Sequence, residues 1–103
     1  MGNYAKGGER TRLIAGLRDL AEFLDQNPQV PVPFYTDLLV FPPIASDAEM
    51  FAEIDAIAEL IGDTAESDGT PTGHYIARRD FGPVQYRAIA IPHAARNNTG
   101  KAE

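Results

Sequence analysis

Apolar positions first recur with a helical period near the start of the chain. Six residues follow the i, i+4, i+7 and i+8 spacing of one helix face: Leu13, Ile14, Leu17, Leu20, Ala21 and Leu24. This spacing gathers them on one stripe and predicts a helix over residues 9–26. Asn27-Pro28 ends it, because a residue before proline is pushed out of the α region.

A second helical segment carries signals at both of its ends. Ser46 followed by Glu49 forms an S-x-x-E capping box, and Gly62 supplies the left-handed residue that commonly closes a helix. Six apolar residues between them share one face: Met50, Phe51, Ile54, Ile57, Ala58 and Ile61. The pattern therefore predicts a well-bounded amphipathic helix.

Three further segments have the composition of strands. Residues 34–41 (FYTDLLVF) are aromatic and β-branched and end at two prolines, while residues 74–80 and 84–91 flank a Phe-Gly-Pro turn that predicts a hairpin. Residues 63–73 are polar and rich in Gly and Pro, so we predict a mobile loop. The elements follow the order α-β-α-β-β.

This order predicts an α+β fold, a small three-stranded sheet with two helices packed on one face. A crossover through the second helix would set the first strand parallel to the second if they are neighbours. The last two strands pair antiparallel. We expect a flexible leader over residues 1–8, one globular domain over 9–92 and a flexible tail over 93–103, since 103 residues suffice for a single core.

Composition excludes several classes of protein. The chain has no cysteine, which removes disulfides, thiol nucleophiles and thiolate metal sites and favours a cytoplasmic location. No apolar run approaches the ~18 residues of a membrane span. Hydrophobic residues make up 44% and charged residues 23%, as in globular proteins.

Charge is segregated along the chain, whose formal net charge is -6. No Lys or Arg lies between Arg18 and Arg78, while twelve acids fall within residues 19–68. On a wheel of about 100° per residue the acids of the second helix form two rows flanking its outer face. The rows are Glu49 with Glu53, and Asp55 with Glu59.

Four interpretations of this acidic helix remain open. It is a solvated face that keeps the domain soluble, a site for a basic partner protein, or a DNA mimic in which carboxylates of helix 47–61 replace phosphates. In the fourth interpretation the acids pair within the fold with Arg78, Arg79 and Arg87.

Residues suited to catalysis or metal binding are sparse. Only His74 and His93 could act as bases, and their spacing suggests neither a triad nor a zinc site. We predict no catalytic residue, metal or cofactor, with an enzyme using His74 as an alternative. The predicted hairpin offers a nucleic-acid surface in Arg78, Arg79 and Arg87 with Tyr75 and Tyr86. The competing interpretation makes the tyrosines cross-strand core pairs and places the arginines at the sheet edge.

Two stretches carry a resemblance to known proteins. Residues 17–33 (LRDLAEFLDQNPQVPVP) and 81–91 (FGPVQYRAIAI) resemble the helix, V-P spacer and F-G hairpin of small uncharacterised proteins from actinobacteria, their phages and integrated elements. The resemblance implies a bacterial cytoplasm and a mobile genetic element, and it supplies no catalytic or binding residue.

These observations lead to a ranked prediction of function. We predict a non-catalytic accessory or regulatory protein, a monomer or homodimer, that binds an unknown protein partner through Glu49, Glu53, Asp55 and Glu59. The alternatives are a nucleic-acid-binding module that uses the hairpin arginines and a DNA-mimic inhibitor that presents helix 47–61.

Overall fold

The structure, a computed structural model, describes residues 4–70 and 73–93. The chain divides into two compact units, Met1–Phe34 and Tyr35–Glu103. Helix α1, Gly8–Gln26, belongs to the first unit. The second unit contains strand β1 (Thr36–Val40), helix α2 (Asp47–Ile61) and three strands, β2 (Glu66–Ser67), β3 (Tyr75–Phe81) and β4 (Val84–Ala90). The predicted α+β class is confirmed.

Helix α1 matches its predicted bounds to within one residue. The residue that caps its C-terminus is Asn27, whose backbone N–H donates to Leu24 O and whose side-chain amide donates to the Phe23 carbonyl at 2.8 Å. None of the residues of α1 is buried. The expected packing of this helix beside α2 on one face of the sheet stays a prediction, as does the single domain over residues 9–92.

Helix α2 has both of the ends that the sequence predicts. Glu49 N–H donates to Ser46 Oγ at 3.1 Å, and Ser46 N–H donates to Glu49 Oε1 at 3.1 Å, which completes the capping box. Gly62 adopts φ +75°, and the N–H of Asp63 reaches back to the Ala58 carbonyl at 2.8 Å. The left-handed residue lets the chain turn back and satisfy the last carbonyls.

Among the described residues the sheet has four strands, in the order β1-β4-β3-β2, so the prediction of three strands is wrong. The missed strand is β2, which pairs antiparallel with the start of β3 through Glu66↔Ile76 and Ser67↔Tyr75. It lies inside the segment that we predicted to be a mobile loop. A two-residue strand is too short to show a period of two, which is why no sequence pattern revealed it.

Strand β1 does not pair with the next long strand along the chain, which is the neighbour that the sequence analysis considered. β1 pairs in parallel with β4, in the register Thr36↔Val84 to Val40↔Ala88, and β3 pairs antiparallel with β4 as a hairpin. The condition for a parallel pair between β1 and β3 is therefore not met. The predicted antiparallel hairpin is confirmed.

The core lies between α2 and one face of the sheet. Met50, Ile54 and Ala58 of the helix form a cluster with three fully buried alanines of the sheet. Those alanines are Ala77, Ala88 and Ala90. Because their side chains are so short, Ile54 and Met50 fill the space between the layers.

The C-terminal end of the described chain is tied to the start of α2. His93 N–H donates to Asp47 Oδ1 at 3.0 Å, and its Nε2 lies 2.6 Å from the Ala45 carbonyl oxygen. The predicted flexible tail begins at this residue; residues 94–103 lie outside the described residues, as do 1–3 of the predicted leader. Neither described helix combines the length and apolar content needed to cross a bilayer.

Candidate functional site

The outward side of α2 carries an oblique line of apolar residues spaced four apart. These residues are Ala48, Ala52, Ala56 and Leu60, and all four are exposed. Leu60 has 86% of its surface open to solvent. Since i and i+4 positions are neighbours on a helix, the alanines leave a shallow strip that ends at a projecting leucine.

Glu49, in the first acidic row, belongs to the capping box of α2. Hydrogen bonds from the backbone N–H and the hydroxyl of Ser46 lower the pKa of Glu49 below its ordinary value. This carboxylate also sits in the first turn, where the helix dipole favours negative charge. Replacing Glu49 would therefore damage the helix end as well as the acidic surface. Glu53, the other member, is half-buried.

In the second row, Asp55 is fixed by the sheet. Tyr75 donates its hydroxyl to Asp55 Oδ1 at 2.6 Å, and the Tyr75 ring stacks on Phe51 with centroids 4.7 Å apart. The hydrogen bond to Asp55, with some desolvation, raises the pKa of Tyr75. Glu59 is exposed, and among the residues that the structure describes its side chain has no hydrogen bond or ion pair.

The hairpin arginines do not pair with these rows. Arg79 donates from Nη1 to the Ile61 carbonyl at 3.2 Å, and its guanidinium lies 5.4 Å from the centre of the Phe81 ring. This places a cation at the C-terminus of α2, where the helix dipole is negative. Its partner there is a backbone carbonyl and not a carboxylate of α2.

Arg78 and Arg87 lie on the opposite face of the sheet from α2. They are directly opposite each other across β3 and β4, on the side away from the buried alanines, since side chains alternate between the faces of a strand. Arg87 Nη1 lies 3.5 Å from Asp37 Oδ2, while its Nε is buried without a hydrogen-bond partner. The N–H of Arg78 donates to Asp63 Oδ2 at 2.9 Å.

The five residues of the predicted nucleic-acid surface are therefore divided between two faces. Tyr75, Arg79 and Tyr86 are on the side that α2 covers, where both tyrosines pack against the core. Burial raises the pKa of Tyr86. One face of the Tyr75 ring is already stacked on Phe51 and is closed to a base.

A groove of about 500 Å³ adjoins Arg78 and Arg87. Its remaining lining comes from Ile76 and from the segment around β2, namely Asp63, Glu66, Ser67, Asp68 and Gly69. Three carboxylates thus stand beside two guanidiniums, which leaves the lining with a formal charge of -1. Such a surface repels a polyanion more than it attracts one.

The two histidines have separate local roles. His74 Nδ1 lies 3.7 Å from Asp68 Oδ2, and Asp68 accepts hydrogen bonds from the backbone and hydroxyl of Thr70, which lower the pKa of Asp68. His93 holds the chain end to the start of α2. Within residues 4–70 and 73–93, no group of three metal-ligating side chains comes together.

The sequence interpretation identified the acidic rows but missed the leucine between them. On the helical wheel Leu60 lies about 120° from the buried Ile54, towards the outer side, and this position was the available signal. A large apolar residue there is unexpected in a helix whose outer face serves only solubility.

Comparison with protein-family models, with curated proteins and with solved structures found no match to this chain.

Proposed function

We propose that this protein is a non-catalytic accessory or regulatory protein that binds another protein through the outer face of α2. The outer face is defined by Ala48, Ala52, Ala56 and Leu60 with the two flanking acidic rows. Its partner is a basic amphipathic segment whose apolar side chains cover the alanine strip and whose Lys or Arg residues meet the carboxylates.

The observation that carries the proposal is the exposure of Leu60. This side chain is 86% exposed at the end of a helix whose opposite side supplies the core. It contributes almost nothing to the packing of its own domain. An apolar strip bordered by charge is the form that helix-in-groove and helix-on-helix recognition uses.

The acidic rows support a cationic partner. The like-charge pair of Asp55 and Glu59 at i, i+4 costs roughly 0.2–0.5 kcal/mol, and Arg79 and Arg87 of the hairpin, which could have offset it, bind elsewhere. Glu59 also stands near the C-terminus of α2, where negative charge is unfavourable. A basic partner would remove both costs on binding.

A peptide-binding assay tests the proposal with the full chain. The probe is a fluorescent helical peptide with one leucine stripe flanked by lysines, followed by anisotropy. We expect Leu60→Asp and Glu59→Lys each to raise Kd about tenfold, equivalent to ~1.4 kcal/mol. Affinity should also fall as salt rises, since exposed charges are screened.

The chain offers matched controls for both changes. Ile44→Asp introduces the same charge at another exposed aliphatic residue, and Asp80→Lys reverses another exposed acid; neither should alter binding. Equal affinity of Leu60→Asp and the parent chain for the peptide would refute the proposed face. So would equal binding of a peptide whose lysines are replaced by glutamates.

A capture experiment from an actinobacterial lysate would then identify the natural partner. The parent chain and Leu60→Asp are used side by side, and a true partner is lost with the variant. Should duplex DNA displace the captured protein, the DNA-mimic alternative for helix 47–61 would be favoured over a general protein-binding role.

The nucleic-acid alternative keeps a direct test. Binding through Arg78 and Arg87 predicts retention on a DNA or RNA column at low salt that weakens as salt rises. Arg78→Ala should then reduce retention. Because the neighbouring groove is lined by acids, we expect the protein to pass through the column without being retained. That result would refute the nucleic-acid alternative.

A further inference from the structure

The groove on the sheet face opposite α2 brings opposite charges together without pairing them. All of its lining residues belong to the second unit. Arg78 and Arg87 line it together with Asp63, Glu66 and Asp68. Within the part of the chain that the structure describes, no ion pair joins either guanidinium to any of these three carboxylates. Charges of both signs therefore remain available to a ligand in this groove of about 500 Å³.

The two arginines are placed where an anion would stabilise them. Arg78 and Arg87 are directly opposite each other on β3 and β4, and like charges in that position repel. The side chain of Arg78 has no hydrogen bond or ion pair among the described residues. Arg87 has a long ion pair, 3.5 Å from Asp37, and its Nε has no hydrogen-bond partner. Two neighbouring guanidiniums with unpartnered N–H groups form a receptor for a carboxylate, which accepts from both.

Glu66 provides the opposite charge on the same face of the sheet. It is opposite Ile76 in the pairing of β2 with β3, so its side chain lies on the side of the sheet that carries Ile76 and Arg78. Glu66 is exposed, and among the residues described its side chain has no hydrogen bond or ion pair. The other two acids have partners, since Asp63 accepts from a backbone N–H of β3 and Asp68 accepts from the turn that follows β2. Glu66 is therefore the carboxylate best placed to bind an ammonium group.

An aliphatic side chain lies between these charges. Ile76 lines the groove and is half-buried. It stands beside Glu66 across the ladder and two residues before Arg78 on the same strand, so the three side chains share one face. The groove also has the volume of a small-molecule site, which is typically about 300–1,000 Å³.

We propose that this groove binds a small zwitterion with an aliphatic body, either a free amino acid or a short peptide. Its carboxylate accepts hydrogen bonds from Arg78 and Arg87, its ammonium group donates to Glu66, and its aliphatic side chain lies on Ile76. A zwitterion is neutral overall, so the net acidity of the lining does not repel it as it repels a polyanion. The site lies on the sheet face away from α2, which makes it independent of the protein-binding face and adds a ligand to that proposed function.

Isothermal titration calorimetry of the full chain tests the ligand class. The probes are leucine and leucyl-leucine, and the tighter of the two distinguishes an amino acid site from a peptide site. We expect saturable binding with Kd below about 1 mM. The N-acetylated form of the tighter probe lacks the ammonium group, its amide lacks the carboxylate, and both should bind about tenfold more weakly or worse. Absence of saturable binding by either zwitterion up to about 10 mM would overturn the proposal, and so would equal binding of the N-acetylated form.

Substitutions then assign the charges of the groove. Arg78 and Glu66 are both exposed, so Arg78→Gln and Glu66→Gln leave the core intact. Each should raise the Kd of the zwitterion about tenfold or more, while Glu66→Gln should not change the weak binding of the N-acetylated form. Arg79→Gln is the matched control, because Arg79 is the next residue of β3 and lies on the other face of the sheet. An unchanged Kd in Arg78→Gln, or an equal rise in Arg79→Gln, would refute the site.

Discussion

Substituting Ile54 by alanine should be far more costly than substituting Leu60, although both are large aliphatic residues of α2. Ile54 is fully buried against the alanines of the sheet, whereas Leu60 is 86% exposed. Ile54→Ala removes three carbons from the core, a transfer loss of roughly 2.4 kcal/mol at about 0.8 kcal/mol per carbon.

The surroundings of Ile54 add a cavity cost. Ala77, Ala88 and Ala90 have no side-chain rotation with which to fill the space, so among the buried cluster only Met50 can adjust. We therefore expect a total loss of about 3–5 kcal/mol, in the upper part of the usual range for such substitutions. Leu60→Ala should stay within about 0.5 kcal/mol of the parent chain.

Urea unfolding followed by far-ultraviolet circular dichroism measures both effects. A loss of this size is a large part of the 5–15 kcal/mol that typically stabilises a domain. Ile54→Val, with an expected loss of about 0.5–1.5 kcal/mol, therefore provides a variant that stays folded. A loss below about 1 kcal/mol for Ile54→Ala, or a comparable loss for Leu60→Ala, would refute the division of α2 into a core side and a free side.

Three further outcomes follow from the ends and edges of α2. Ser46→Ala should reduce the free energy of unfolding by about 1 kcal/mol through loss of the N-cap, measured by urea unfolding; an unchanged midpoint would contradict the cap. Carboxyl NMR titration should find the pKa of Glu49 lowered, so its stabilising contribution is present above its unfolded pKa and is lost as pH falls through the folded value. Ser46→Ala should return this pKa only part of the way, because the bond from the backbone N–H of residue 46, the larger cause, remains. Ultraviolet titration should find the pKa of Tyr75 raised above its ordinary value. The contribution of Tyr75 to the free energy of unfolding is then present below its unfolded pKa and is lost as pH rises through its folded pKa. An ordinary pKa would argue against its hydrogen bond to Asp55.

Local signals predicted the helix ends and failed where a strand is defined by its pairing partner. The capping box joins Ser46 to a residue three positions away, and Gly62 acts on the turn beside it, so both can be recognised from neighbouring letters. The parallel pair of β1 with β4 joins Thr36 to Val84, and no local pattern records that choice. The same applies to β2, whose two residues gain their strand geometry only by meeting β3.

The sequence also could not show which charged side chains are in contact. The acidic rows of α2 and their exposed setting could be predicted from the helical period. Their separation from the arginines could not, because it depends on which face of the sheet α2 covers and on the length of α2, which places its last carbonyl beside Arg79. The candidate surface could therefore be predicted as acidic, while the exposure of Leu60 became significant only once the packed side of α2 was known.

The sequence by itself determined the two helices, their ends, three of the four strands and the acidity of α2, because periodicity, caps and turn residues act over a few neighbouring positions. The tertiary structure decided the strand order, the short β2 strand and the packing of Ile54 against three alanines of the sheet. It also decided which of the hairpin tyrosines and arginines lie on the face that α2 covers. Those features depend on contacts between residues far apart in the chain, whose formation is settled by the packing of the whole domain.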